Sequence, residues 1–292
     1  MNELPLSPEA AAVKVCRELG MEAETLVPLR SHATAVFLLP EAHTVVRVSR
    51  AGGEASIARA VAVTRWLADQ GVPVTEPLDV KQPVLAGEYV VSLWDHYPQP
   101  EGAPPGVYHL GVLLRQLHEV QLPPVELPSY QPHVSLRESV RASVALSSED
   151  ADWLLGRSDE LVKAYSQLDF PLGEGLIHGD AYPGNVLWDG AGARLGDWDE
   201  AAFGPREVDL ANTFQGVRFG RTQEQLRAFS EAYGYDLAGW PGLLVLTELR
   251  DLHTLGSFIR RVDKGDEEAA AQLWMRLEVL KSGDREAAWR AH

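Results

Sequence analysis

The chain has 292 residues, enough for one large domain or two packed lobes. Hydrophobic residues make up 45% and charged residues 23%, an ordinary globular composition that excludes disorder over most of the length. Against 26 Lys and Arg stand 42 Asp and Glu, a net charge of −16. That balance repels phosphate backbones, so no nucleic-acid partner is expected; it favours solubility and would attract cationic small molecules.

Apolar runs such as Val45–Val46 and Leu243–Leu246 are too short to span a bilayer, so no membrane partner is expected. The first ten residues, MNELPLSPEA, have neither the basic nor the apolar region of a signal peptide. The single cysteine, Cys16, forbids an internal disulfide and a multi-cysteine metal site. A reducing, cytoplasmic setting is the expectation.

In chain order, residues 8–20 read as a short helix ended by Gly20. Residues 24–50 alternate like strands, with Ala35–Leu39 and Thr44–Val48 joined by a turn at 40–43. Residues 54–70 carry apolar positions at helical spacing, among them Ile57, Val61, Trp66 and Leu67. Further strands are expected at 74–80 and 88–93. The segment 97–106 then holds four prolines and two glycines and reads as a hinge. Beyond it the pattern is mostly helical, over 107–119, 135–146, 149–168, 206–216, 222–233, 241–262 and 266–281. Short strand-like pieces interrupt it at 176–177, 186–188 and 194–196. The expected fold is α+β: a small antiparallel-sheet N-lobe (1–95) and a larger, mostly helical C-lobe (96–292).

The chemistry concentrates in 176–210, LIHGDAYPGNVLWDGAGARLGDWDEAAFGPREVDL. His178, Asp180 and Asn185 form an H-x-D-x4-N pattern, followed by a strand, a Gly turn, another strand and Asp197. Kinase-type phosphoryl transfer needs such a set. One carboxylate orients an attacking hydroxyl and accepts its proton. An amide oxygen and a second carboxylate hold a divalent cation on nucleotide phosphates, and hard oxygen donors suit Mg²⁺. The hairpin 186–196 returns the chain, so Asn185 and Asp197 can face one ion.

HGDAYPGN followed by GDWDEAAFGP and DLA resembles the aminoglycoside phosphotransferase and choline kinase family. The helix motif LGVLLRQLHEV at 110–120 is similar to that family's as well. The resemblance implies a two-lobed protein-kinase-like fold. It also implies ATP- or GTP-dependent phosphorylation of a small-molecule hydroxyl, such as one on an aminoglycoside-like antibiotic, an amino sugar or another amine-bearing alcohol. It assigns Asp180 as the catalytic carboxylate and Asn185 and Asp197 as Mg²⁺ ligands. His178 would support the loop and Asp209 would brace the following helix. Nucleotide contacts would come from Ser31, Arg47 and the strand end Leu93, Trp94 and Asp95. Acids near the acceptor would be Asp199, Glu200, Glu248 and Asp251, which could bind substrate amines; Asp199 could otherwise aid the metal shell, and Glu248 and Asp251 also suit a solvated helix face.

Three features depart from the family pattern. The phosphate-covering loop at 30–35 contains no glycine. The strand position usually held by Lys is Arg47, which stays charged and binds phosphate in a bidentate manner. The helix acid that would clamp this cation falls at Ala60, leaving Glu54 as a substitute. These departures keep a second reading open, a non-catalytic nucleotide-binding pseudokinase. A third, a metal-dependent phosphohydrolase, would need several further His and Asp ligands, and the nine histidines are scattered.

Overall fold

The computed structural model describes residues 6–31, 34–102 and 104–290, apart from the side chains of Arg30 and Ser31. The chain packs as two compact units. The first runs to Pro128 and adds His178–Ala202; the second holds Ser129–Ile177 and everything from Phe203 onward. The sequence division was set at 95/96; in this grouping residues 96–128 and 178–202 go with the amino-terminal residues.

The first unit opens with helix α1 (Pro8–Glu18), whose N-cap Ser7 accepts the Ala10 N–H at 3.1 Å. Its Ala11, Ala12, Val15 and Cys16 are buried against a five-stranded antiparallel sheet. The strands are β1 (Val27–Ser31), β2 (Ala35–Leu39), β3 (Thr44–Arg50), β4 (Val84–Ala86) and β5 (Tyr89–Asp95), in spatial order β1-β2-β3-β5-β4. Side chains alternate across a strand, so Phe37, Leu39, Val46 and Val48 turn inward to the α1 side. Arg47 therefore projects from the opposite face, in register with Val36 and Ser92.

Helix α2 (Glu54–Asp69) buries one stripe, Ile57, Ala60, Val61, Val63, Thr64 and Leu67. Full burial of Leu67 stabilises the unit by about 2 kcal/mol. The chain leaves α2 through Gly71, whose φ of +77° suits glycine.

The strand expected at 74–80 does not form. Pro73 and Pro77 lack an N–H, so no continuous ladder can run there. The segment instead makes single bridges, Val74 to Leu195 and Pro77 to Trp94, and the edge strand beside β5 is β4. Helix α3 (Val107–Glu119) follows the proline-rich segment and buries Leu110, Leu113, Leu114 and Leu117. The unit closes with the hairpin β7 (Val186–Trp188) and β8 (Ala193–Leu195).

In the second unit, β6 (Glu174–Ile177) pairs with β9 (Ala202–Pro205). Its helices are α4 (Val134–Ala142), α5 (Ser148–Tyr165), α6 (Glu207–Gln215), α7 (Gln223–Tyr233), α8 (Leu243–Val262) and α9 (Glu267–Ser282). Helix α8 is central and packs on α4, α5, α6 and α9 through Leu246, Leu249, Leu252, Leu255 and Ile259. Among the described residues no helix is long and apolar enough to cross a membrane.

Candidate active site

The first unit gathers the polar residues of the H-x-D-x4-N segment by backbone bonds. The His178 ring is fully buried and reaches in two directions. Its Nδ1 accepts the Asp180 N–H at 3.3 Å, which leaves Nε2 as the donor to the Gly196 carbonyl at 2.8 Å. The ring also lies 4.7 Å from the indole of buried Trp198. Asn185 donates from Nδ2 to the Asp180 carbonyl at 2.9 Å, which presents its Oδ1 as a donor oxygen. The Gly196 N–H donates to the Asn185 carbonyl at 2.8 Å. Asp197, the next residue, is thereby held beside Asn185, with a left-handed backbone at φ +65°.

Two glycines permit this packing. Gly179 has φ +82°, and a Cβ there would meet the Glu200 carbonyl oxygen at 2.4 Å. A Cβ on Gly196 would meet Thr75 Cγ2 at 3.0 Å. Neither glycine stands out in the sequence except by its place next to a catalytic-type residue. The hairpin is pinned in turn: the Thr75 N–H donates to the Leu195 carbonyl at 3.0 Å, and Leu195 N–H to Pro73 at 2.9 Å. In the hairpin turn, Asp189 accepts from Ala191, Gly192 and Arg194, and the backbone donors, led by Gly192, hold its carboxyl down at about 2.

Arg47 reaches this assembly from β3. Its Nη2 donates to Asp197 Oδ1 at 2.9 Å and to Asp199 Oδ2 at 2.7 Å. Burial disfavours its charge, but the two carboxylates outweigh that and move its pKa upward. Burial pushes the Asp199 carboxyl up, against the pull of Arg47. Glu54 is engaged elsewhere: both its oxygens accept the Gly52 N–H at 3.0 Å, and its own backbone N–H, with that of Gly52, lowers its pKa.

The remaining expected residues fall as follows. Leu93 is fully buried, with its N–H given to Gln82 Oε1 and its carbonyl taken by Leu78 and Gln82. Trp94 is buried and donates to Ser92 Oγ at 2.9 Å. Asp95 is exposed at the strand end, and its N–H donates to the Glu76 carbonyl. Ser31 ends β1, and the expected phosphate-covering loop includes His32 and Ala33, which lie outside the described residues. Glu200 is exposed on the 198–200 turn.

Glu248 and Asp251 belong to the second unit, on α8, and both are engaged by arginines. Glu248 pairs with Arg157 and, at 2.8 Å, with Arg285. Asp251 is buried and pairs with buried Arg218 at 2.9 Å, with Gln215 Nε2 at 2.8 Å.

Oxygen donors from Asn185 and Asp197 suit a hard divalent cation that relies on phosphates for the rest of its shell. Among the described residues no group of three or more His, Cys, Asp or Glu is placed to hold a metal by itself.

Among curated proteins no match is found. The amicoumacin kinase hAmiN, solved in complex with AMP-PNP, Ca²⁺ and Ami, superposes with a TM-score of 0.72 at 14% identity, covering 94% of each chain. A choline/ethanolamine kinase family protein from Mesorhizobium loti gives 0.64 at 17% identity over 94% of this chain and 92% of that one. A thermostable mutant of aminoglycoside phosphotransferase APH(4)-Ia gives 0.66 at 19% identity, over 94% and 99%. These likenesses show a shared kinase-like α+β fold. The phosphotransferase enzyme family matches over residues 25–246, most of the length, and the chain belongs to that family.

Proposed function

We propose that this phosphotransferase moves the γ-phosphoryl group of ATP or GTP to a hydroxyl of a small, amine-bearing molecule in the cytoplasm. The observation that carries the reading is the single bonded set in which His178 and Gly196 tie Asp180, Asn185 and Asp197 together, with Arg47 reaching in from the sheet. Asp180 orients the acceptor hydroxyl and takes its proton. The acceptor oxygen bonds to Pγ as the bond from Pγ to the bridging oxygen breaks, and the nucleoside diphosphate leaves. Asn185 and Asp197 would hold Mg²⁺, which supplies charge neutralisation on the phosphates when bound. Arg47 binds the α- and β-phosphates, and the segment 1–95, with Ser31 and the strand end at Asp95, covers the nucleotide. Catalysis on this plan is positioning and charge stabilisation.

The acceptor class rests on the acidic charge and on similar folds, among them the amicoumacin kinase and the aminoglycoside phosphotransferase. Glu200, exposed on the 198–200 turn, is the acid assigned to acceptor amines.

The test is release of nucleoside diphosphate with Mg²⁺ and ATP or GTP across aminoglycosides, amino sugars, choline, homoserine and nucleoside antibiotics. Acceptor-dependent release, absent in Asp180→Ala, is expected. No release with any acceptor, together with no nucleotide binding by calorimetry, would favour the pseudokinase.

A further inference from the structure

The geometry points to Asp199 as the positioning residue that holds Arg47 while Asp197 is given to a metal ion. It would do the work of an acid that α2 does not carry. This rests on the phosphotransferase reading and deepens it.

Helix α2, EASIARAVAVTRWLAD, has acids only at its two ends, Glu54 and Asp69. Glu54 is spent on the Gly52 N–H, and Asp69 is exposed at the far end. The middle of the helix presents Ala60, Val61, Val63 and Thr64 as buried packing. This helix packs on the Trp198–Glu200 turn. It supports that turn by contact and sends no carboxylate to Arg47.

The turn itself supplies the acid. Asp199 sits between two fixed neighbours. Trp198 is buried, donates from Nε1 to the Leu195 carbonyl at 3.0 Å and packs on His178. Glu200 abuts Gly179 closely enough to exclude a Cβ. A carboxylate on such a backbone is held in place at little further entropic cost. Its contact with Arg47 Nη2, at 2.7 Å, is the shorter of the two.

One guanidinium thus lies on two carboxylates, only one of which is an expected metal ligand. A cation drawn to Asp197 competes with Arg47 for that carboxylate. With Asp199 in place, Arg47 keeps a partner when Asp197 is taken. Without Asp199, all of its attraction falls on Asp197, and metal binding must displace it.

The test is binding of Mn²⁺ in the presence of ATP, read from the free-ion electron paramagnetic resonance signal, for four proteins. These are the wild type, Asp199→Asn, Arg47→Gln and the double variant, each checked for cooperative unfolding. Asp199→Asn should raise the Mn²⁺ concentration for half-saturation about tenfold, the scale of one redirected charge-assisted hydrogen bond. On the Arg47→Gln background the same substitution should change little, and Asp199→Glu should recover most of the wild-type affinity. If the Asn variant does not fold, Asp199→Ser takes its place. An equal rise on both backgrounds would make Asp199 a metal ligand and overturn the proposal, as would no rise in a folded variant. A wild type that binds no Mn²⁺ with ATP would fail the phosphotransferase reading itself, and the proposal with it.

Discussion

The His178 ring donates to the Gly196 carbonyl at 2.8 Å, across 18 residues of chain, and so ties the loop bearing Asp180 to the turn bearing Asp197. His178→Phe keeps a ring against Trp198 but removes both hydrogen bonds. We expect stability to fall by about 1–3 kcal/mol as the Gly196 carbonyl loses its partner. We also expect kcat to drop by roughly tenfold or more from misplaced groups. Denaturant melts and steady-state kinetics check both, and an unchanged kcat would show that the loop does not depend on the ring.

Gly179→Ala tests the close approach of the 198–200 turn. Its φ of +82° and the 2.4 Å meeting with the Glu200 carbonyl both oppose a side chain. A loss of about 1–3 kcal/mol in urea unfolding is expected, with the left-handed backbone supplying part of it. Gly190→Ala, with φ +93° but open space around it, should cost less.

Asp251→Ala separates a structural role from a substrate role. Removing this carboxylate takes from the buried Arg218 guanidinium its counter-charge and leaves it the Asp284 and Ala287 carbonyls. Breaking such a pair costs about 3–5 kcal/mol. A large fall in the unfolding midpoint is expected. A stable variant with a raised KM for amine-bearing acceptors would instead place Asp251 at the acceptor.

Acid sensitivity should show at His133. Its ring is buried, bonded to Ser158 Oγ at 2.9 Å and to the Leu249 carbonyl at 2.8 Å, and burial lowers its pKa. Its folded-state pKa lies below the unfolded value, so the unfolded chain binds the proton first. Its stabilising contribution is complete above the ordinary histidine range and shrinks as pH falls through that range toward the folded pKa. His253 on the same unit, lowered to about 3 chiefly by burial, adds in the same direction. His133→Gln should flatten the slope of stability between pH 7 and 5. Unfolding midpoints of the two proteins across that range provide the comparison.

Much of the site was readable because it is local. His178, Asp180, Asn185 and Asp197 lie within one short stretch, and the hairpin between them follows from Asp189, Gly190 and Gly192. The end of α1 at Gly20, with φ +77°, was also readable, since such stops act within a few residues. Pairings across long sequence distances were not. Periodicity gives the face on which Arg47 lies, but not that it reaches Asp199, 152 residues on. Asp251 looked like a solvated acid because Arg218, which neutralises it, lies on another element. The strand expected at 74–80 was misread because apolar content outweighed Pro77, whose missing N–H limits the segment to isolated bridges.

The discontinuous first unit bears on how the protein matures. Arg47 and Asp197 are 150 residues apart, so ribosomal synthesis separates their appearance by roughly ten seconds or more. A nascent chain ending at Pro128 already holds the sheet, α1 and α2, yet lacks every carboxylate that pairs with Arg47. Closing so long a loop is slow and follows the local elements. Assembly of the Arg47–Asp197–Asp199 cluster is therefore a late event, which waits on both chain segments of this unit.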